Sequence, residues 1–221
     1  PFVDAATAVD PNNRGNTFLS YYTWGSGVAL GLDLTLRTSF DGITLDHVMR
    51  EMWRTHGIPE RSYNVDDIEA ALARATGDPT FARSYFDAYV RGTQAPMYAK
   101  LLAAAGIELG PARPGRAWMG NPNHVQMRGG AATVTATPVT GSPMYEAGLD
   151  RGDRILALNG ETIDADTSVR AVLQAHSPGD VIAVRYEYEA QMTLVPDPGL
   201  SASLRGDPNG FMHIWKEAVA R

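Results

Sequence analysis

The sequence predicts an α+β, multidomain chain: an all-α first half, then a small β-barrel or sandwich carrying two short helices. Two observations carry this. Up to about Gly106, apolar residues recur at helical spacing, each stretch opened by a polar cap or a proline and closed by a glycine. Beyond residues 110–116, rich in proline and glycine and read as a linker, the apolar period becomes alternating and turn signals crowd in. The expected division is a helical region over 1–112, a β domain over 113–199, and a tail with a short helix over 200–221.

In the first half, Asn16 or Thr17 can cap a long helix running to about Thr38, with Phe18, Tyr21, Tyr22, Val28, Leu32 and Leu36 at helical spacing. Gly25, Gly27 and Gly31 lie inside it, each costing about 1 kcal/mol relative to alanine. Such glycines imply that something packs close to that backbone. Thr44 can cap a helix carrying Val48 and Met52 that stops at Gly57, and Asn64 one carrying Ile68 and Leu72 that ends near Gly77. Pro79 suits a first helical position, ahead of the stripe Phe81, Tyr85, Tyr89 and the stop at Gly92. Pro96 opens a last helix that Gly106 closes.

In the second half, residues 133–136 alternate as a strand, and 154–163 read as strand, Asn159–Gly160 turn and short strand. A short amphipathic helix is expected over 168–176 and a hairpin over 181–195. After Pro198 the chain reads as loop, then a short helix from about Phe211.

Composition narrows the function. Of 221 residues, 44% are hydrophobic and 20% charged, as a chain with packed cores requires. The net charge of −6 is spread without runs, so no basic stripe exists to collect the phosphates of a nucleic acid. No stretch is long and apolar enough for a membrane span. Without cysteine there are no disulfides, thiolate zinc ligands or cysteine nucleophiles. The opening from Pro1 does not read as a signal peptide; it reads as the continuation of a longer chain.

Within residues 141–160, Ser142–Pro143, Ala147–Gly148–Leu149, Gly152–Asp153, Ile155 and Asn159–Gly160 resemble PDZ domains of the bacterial protease type. That resemblance implies a PDZ-like fold that takes an extended peptide as an added strand and holds its terminal carboxylate on the N–H groups of a loop. The loop pattern falls on Trp118, Met119, Gly120 and Asn121. Asn121 stands where the family has an aliphatic residue, and Pro122 removes a donor that strand addition would use, so the sequence leaves ligand binding open. Arg116 is either a carboxylate partner or a solvated linker residue. Val169 and Leu173 either line the groove or simply fill the core.

The string over 20–37, "SYYTWGSGVALGLDLTLR", with the segments over 41–57 and 63–93, resembles the glycyl aminopeptidase family of PDZ-containing zinc peptidases. The resemblance covers nearly the whole chain. It implies a bacterial zinc-dependent aminopeptidase preferring small N-terminal residues such as glycine. It also implies that Tyr22 is a catalytic tyrosine, donating its phenol hydrogen to the oxyanion of the attacked carbonyl. Read from pattern alone, Tyr21 and Tyr22 are packing residues. Trp24 departs from the family's lysine; Gly25 is retained.

The zinc chemistry needs His-Glu-x-x-His plus a third ligand. None of His47, His56, His124, His176 and His213 has a histidine four residues on. His56 reads as a helix-end residue and His47 as a surface helix residue. The expectation is no metal site in this chain, with zinc held by an upstream catalytic domain of the same parent protein. This chain alone would then be inactive, with peptide or protein substrates as partners. The other reading is a non-catalytic PDZ docking module from a degenerate peptidase. The compartment, whether periplasmic, exported or cytoplasmic, stays open.

Overall fold

The computed structural model describes residues 2–164, 169–187 and 189–204. Helices lead: α1 (Phe2–Ala5), α2 (Arg14–Thr17), α3 (Tyr21–Ser39), α4 (Leu45–Met52), α5 (Val65–Thr76), α6 (Pro79–Tyr85) and α7 (Tyr98–Ala104). Then come β1 (Ile107–Pro111), β2 (Ala117–Trp118), β3 (Val125–Arg128), β4 (Ala131–Val134), α8 (Pro143–Glu146), β5 (Arg154–Ile155), β6 (Ala157–Leu158) and β7 (Glu161–Thr162). The chain continues through α9 (Val169–Gln174), β8 (Val181–Arg185), β9 (Glu189–Thr193), β10 (Val195–Pro196) and β11 (Leu200–Leu204). Residues 2–8, 19–110 and 202–204 form one compact unit, and 9–18 with 111–201 another.

In the helical unit, α3 presents Val28, Leu32 and Leu36 to a core shared with Val48, Leu72 and Phe86. The helix begins behind Ser20, later than the caps Asn16 and Thr17 led one to expect. The reason is that Asn16 is engaged elsewhere: its side chain donates to Pro138 O at 2.9 Å and accepts from Thr140 N at 2.8 Å. Those bonds hold the stretch over 9–18 in the second unit. Close packing against the α3 glycines holds at two of three positions. A Cβ on Gly31 would meet Pro96 Cγ at 2.7 Å, and one on Gly27 would meet the Tyr98 hydroxyl at 3.0 Å. Gly25 has nothing within 4 Å. Beside Gly31, the buried Tyr85 hydroxyl donates to Val28 O at 2.8 Å.

Capping follows the sequence closely. Thr44 opens α4 in a capping box with His47, whose Nδ1 lies 3.2 Å from Thr44 N. His47 is therefore a half-buried capping residue, not a free surface one. Asn64 Oδ1 accepts from Asp66 N and Asp67 N at the start of α5, and Gly77 ends it at φ +70°. Asp78 caps α6, with Pro79 in the first turn. Helices α4 and α6 each run on into a π-helical turn, Trp53–Gly57 and Phe86–Val90. His56 lies in the first of these. It joins neighbouring elements, with Nδ1 2.9 Å from Thr55 Oγ1 and Nε2 3.6 Å from Asp67 Oδ1.

The second unit is built from short antiparallel ladders in the orders β3-β4-β5, β7-β6-β8-β9 and β10-β2. The segment 154–158 serves two sheets, β5 one and β6 the next. Asn159 (φ +49°) and Gly160 (φ +84°) then turn the chain into β7, the two left-handed residues of a tight hairpin. Among the described residues the sheets do not close into a barrel, which corrects the barrel alternative. Val134, Met144, Ile155, Leu158, Ile182 and Met192 fill the core. Strand β4 starts two residues before the expected 133–136 because the glycine pair just ahead of it sets the turn. The tail read as loop after Pro198 contains β11, paired with β1. That partner lies about ninety residues away, beyond any local signal. The helix expected from Phe211 lies outside the described residues.

A candidate peptide-binding groove

The groove begins with one hairpin. Gly129 (φ +56°) and Gly130 (φ +78°) form a two-residue turn with both residues left-handed, as a primed turn requires. Such a turn makes Arg128 and Ala131, directly opposite each other, a hydrogen-bonded pair. Alternation then turns the N–H and C=O groups of Gln126 toward β4 and those of Val125 and Met127 away from it. The bond from Thr135 N to His124 O at 2.7 Å keeps the same phase. Because β3 ends its sheet, Val125 and Met127 offer their backbone groups to an open edge.

At the head of this edge lies the loop predicted to receive a carboxylate. Met119 is buried, and its carbonyl accepts from Met144 N at 2.8 Å. A Cβ on Gly120 would sit 2.8 Å from Met144 Sδ, so only glycine lets the loop lie this close to α8. Among the described residues, the N–H groups of Gly120 and Asn121 have no acceptor. Asn121 then closes a tight turn. Its Oδ1 accepts from Asn123 N at 3.0 Å, its carbonyl accepts from His124 N at 2.9 Å, and its Nδ2 lies 3.2 Å from His124 Nε2. Pro122 opens the 3-10 turn Pro122–His124. The missing proline N–H thus falls ahead of β3, where no ladder partner is needed. The departure that left ligand binding open in the sequence does not block the edge.

Helix α9 supplies the facing wall. Val172 points into the core, while Val169 and Leu173 are half-buried against it and also border the groove. The resulting cavity, about 200 Å³, is lined mainly by Met119, Val125, Met127, Val169 and Leu173. Arg116 and Arg170 also line it, and among the described residues no acidic side chain does. Of the residues singled out in the sequence, Arg116, Met119, Gly120, Asn121, Val169 and Leu173 meet here. Trp118 does not: it is half-buried, with its backbone paired to Val195 in the β2–β10 ladder. Val125, Gln126, Met127 and Arg170 went unread. The signal for the first three was the Gly129–Gly130 pair between two short strand-like runs. For Arg170 there was none.

Tyr22 lies in the first turn of α3 and is 72% exposed. Its ring rests on Tyr21, with centroids 4.2 Å apart. Its carbonyl accepts from Ser26 Oγ at 2.6 Å, which makes Ser26 an ordinary helix-backbonding serine. The hydrogen bond with Tyr22 raises the pKa of the Tyr21 phenol. Trp24, in place of the lysine, packs against the helical core. Among the described residues, no group of three or more His, Asp or Glu side chains converges as a metal site. No described helix is long and apolar enough to cross a membrane.

Residues 117–195 match the family model of the PDZ domain. No curated protein matches the chain. Among solved structures, the chain is similar to an aminopeptidase N family protein from Idiomarina loihiensis, with 21% identity and a TM-score of 0.72. That likeness covers 92% of this chain and 37% of the other, so the chain corresponds to little more than a third of that protein. Much fainter likenesses are to an HtrA-type protease with a decapeptide (16% identity, 39% of this chain, 30% of that one, TM-score 0.33) and to the tricorn protease (10%, 90%, 18%, 0.29). The fold is thus a helical region followed by a PDZ domain.

Proposed function

We propose that this chain is the peptide-handling C-terminal part of a zinc-dependent aminopeptidase, and that its PDZ groove binds peptides by their free C-terminal carboxylate. The observation that carries the groove half is the conjunction of an open β3 edge, two free loop N–H groups and Arg116 at one apolar cavity. An added strand pairs its backbone with Val125 and Met127, its terminal carboxylate accepts from the N–H groups of Gly120 and Asn121, and Arg116 supplies a charge partner.

The aminopeptidase half is supported by the residues around Tyr22 and by the near-complete coverage against an aminopeptidase N family protein. No group of three His, Asp or Glu side chains among the described residues fits zinc, and in this reading the metal is held by residues outside the chain. Tyr22 offers an exposed phenol O–H, fit to donate to a carbonyl oxygen as negative charge builds on it. The preference for small N-terminal residues such as glycine rests on the resemblance alone.

Two measurements test the two halves. Titration of the 221-residue chain with an apolar peptide ending in a free carboxylate, against the same peptide amidated, should show the amide about tenfold weaker or worse, the loss of one charge-assisted contact set. Equal binding of the two overturns the groove reading. In the longer protein, Tyr22→Phe should lower kcat by about a hundredfold to a thousandfold, with KM little changed. Unchanged turnover removes Tyr22 from the chemistry, and a longer protein with no peptidase turnover at all favours the docking-module reading, which has its own support: Trp24 packs against the core and cannot do a lysine's work.

A further inference from the structure

We infer that the groove selects peptides carrying an acidic side chain upstream of their free C-terminus, and that Arg170 is the residue that reads it. The inference rests on the groove being a peptide site and adds to that reading the class of ligand.

The argument is one of charge. The chain carries 25 acidic and 19 basic residues, yet among the described residues this apolar groove with an open strand edge is bordered by two guanidinium groups and no carboxylate. Among the described residues, neither Arg116 nor Arg170 has an acidic partner within 4.0 Å. A terminal carboxylate needs one of them. Arg116, three residues before Met119, belongs to the loop that would hold it. Arg170 lies on the opposite wall, next to Val169 and three residues before Leu173, both of which border the same cavity.

A strand added to β3 runs alongside this helix, and alternate side chains of such a strand project to one side, about 6.6 Å apart. One of those positions meets Arg170. Beside apolar walls, an unmatched guanidinium rewards a carboxylate there and penalises a cation. Peptides doubly charged in this way are ordinary products of chain cleavage: every cut leaves a new carboxylate, and some leave an acid shortly before it.

The test is a scan on the full 221-residue chain. An apolar hexapeptide with a free C-terminus is compared by fluorescence anisotropy with variants carrying one Glu, or one Lys, at each upstream position, at low and moderate salt. One Glu position should tighten binding about threefold to tenfold at low salt, and Lys at the same position should weaken it. The Glu-to-Lys preference ratio should fall to about one in Arg170→Ala and invert in Arg170→Glu, with circular dichroism confirming the fold. If the carboxylate peptide binds but no Glu position helps, or if the preference survives Arg170→Ala, the inference is overturned and the groove reading stands. If no free-carboxylate peptide binds at all, both fall together.

Discussion

The helical unit and the groove handle their arginines differently. In the helices, Arg37 pairs with the buried Asp33 at 2.7 Å, whose other oxygen accepts from Leu45 N at 2.9 Å and so fastens the start of α4. Arg54 and Arg74 converge on Glu51 at 2.8 and 3.1 Å, and Arg91 reaches Asp66, Glu69 and Asp87. In the groove, Arg116 and Arg170 meet no described acid. Matched charges hold helices in register; unmatched ones beside an apolar wall are matched from outside. The two candidate sites differ in the same sense. The groove has walls and donors of its own, while the Tyr22 ring, among the described residues, rests on its neighbour Tyr21.

The largest expected effect sharpens that contrast directly. Asp33→Ala should cost about 3 kcal/mol, because it breaks a buried pair and leaves Leu45 N without its acceptor. Arg170→Ala should stay within about 0.5 kcal/mol, as surface changes usually do. Urea unfolding of both variants checks this, and equal losses would erase the distinction.

A smaller effect concerns Tyr85. Its burial, with Tyr98 and Tyr89 adding to it, pushes its phenol well above the ordinary tyrosine value. Tyr85→Phe should cost about 1 kcal/mol at neutral pH, through the lost bond to Val28 O. A raised folded pKa means this group's contribution is complete below about pH 10 and declines as pH climbs above it, since the unfolded phenol ionises first. The variant should therefore lose stability less steeply in alkali, read from unfolding at a series of pH values.

The smallest effect is at Glu51, whose carboxyl is held below the ordinary glutamate value chiefly by the Arg54 hydrogen bond. A depressed folded pKa gives stability that is present above about pH 4.5 and is lost as pH falls further. Glu51→Gln should cost a few tenths of a kcal/mol at pH 7 and almost nothing at pH 3, measured by the same unfolding series.

What could be read from the sequence follows the reach of the interactions. Thr44, Asn64, Gly77 and Pro79 act within a few residues, and each stands at the helix end that the pattern indicated. The start of α3 was misplaced because Asn16 answers to Pro138 and Thr140, 122 and 124 residues on. β11 was missed because its partner β1 also lies far off in sequence, about ninety residues back. In the groove, the Met119–Asn121 loop and the α9 residues were legible from a motif with a physical reason behind it. Strand β3 was not, because four residues reading Val-Gln-Met-Arg alternate too weakly to declare a strand. The turn over 121–124 shows its logic only in three dimensions, where a proline that ought to disable an edge is spent before the edge begins.

The shortness of β3 also sets a tempo. Only Val125 and Met127 face outward, so an incoming chain finds two rungs and one loop to grip. With association at about 10⁶ M⁻¹ s⁻¹ and a Kd of about 10 μM, a bound end would leave about ten times per second. Under the proposed function, such a groove inspects chain ends in passing and releases them within a fraction of a second. In that reading it is suited to feeding a succession of peptides past a site and ill suited to storing any one of them.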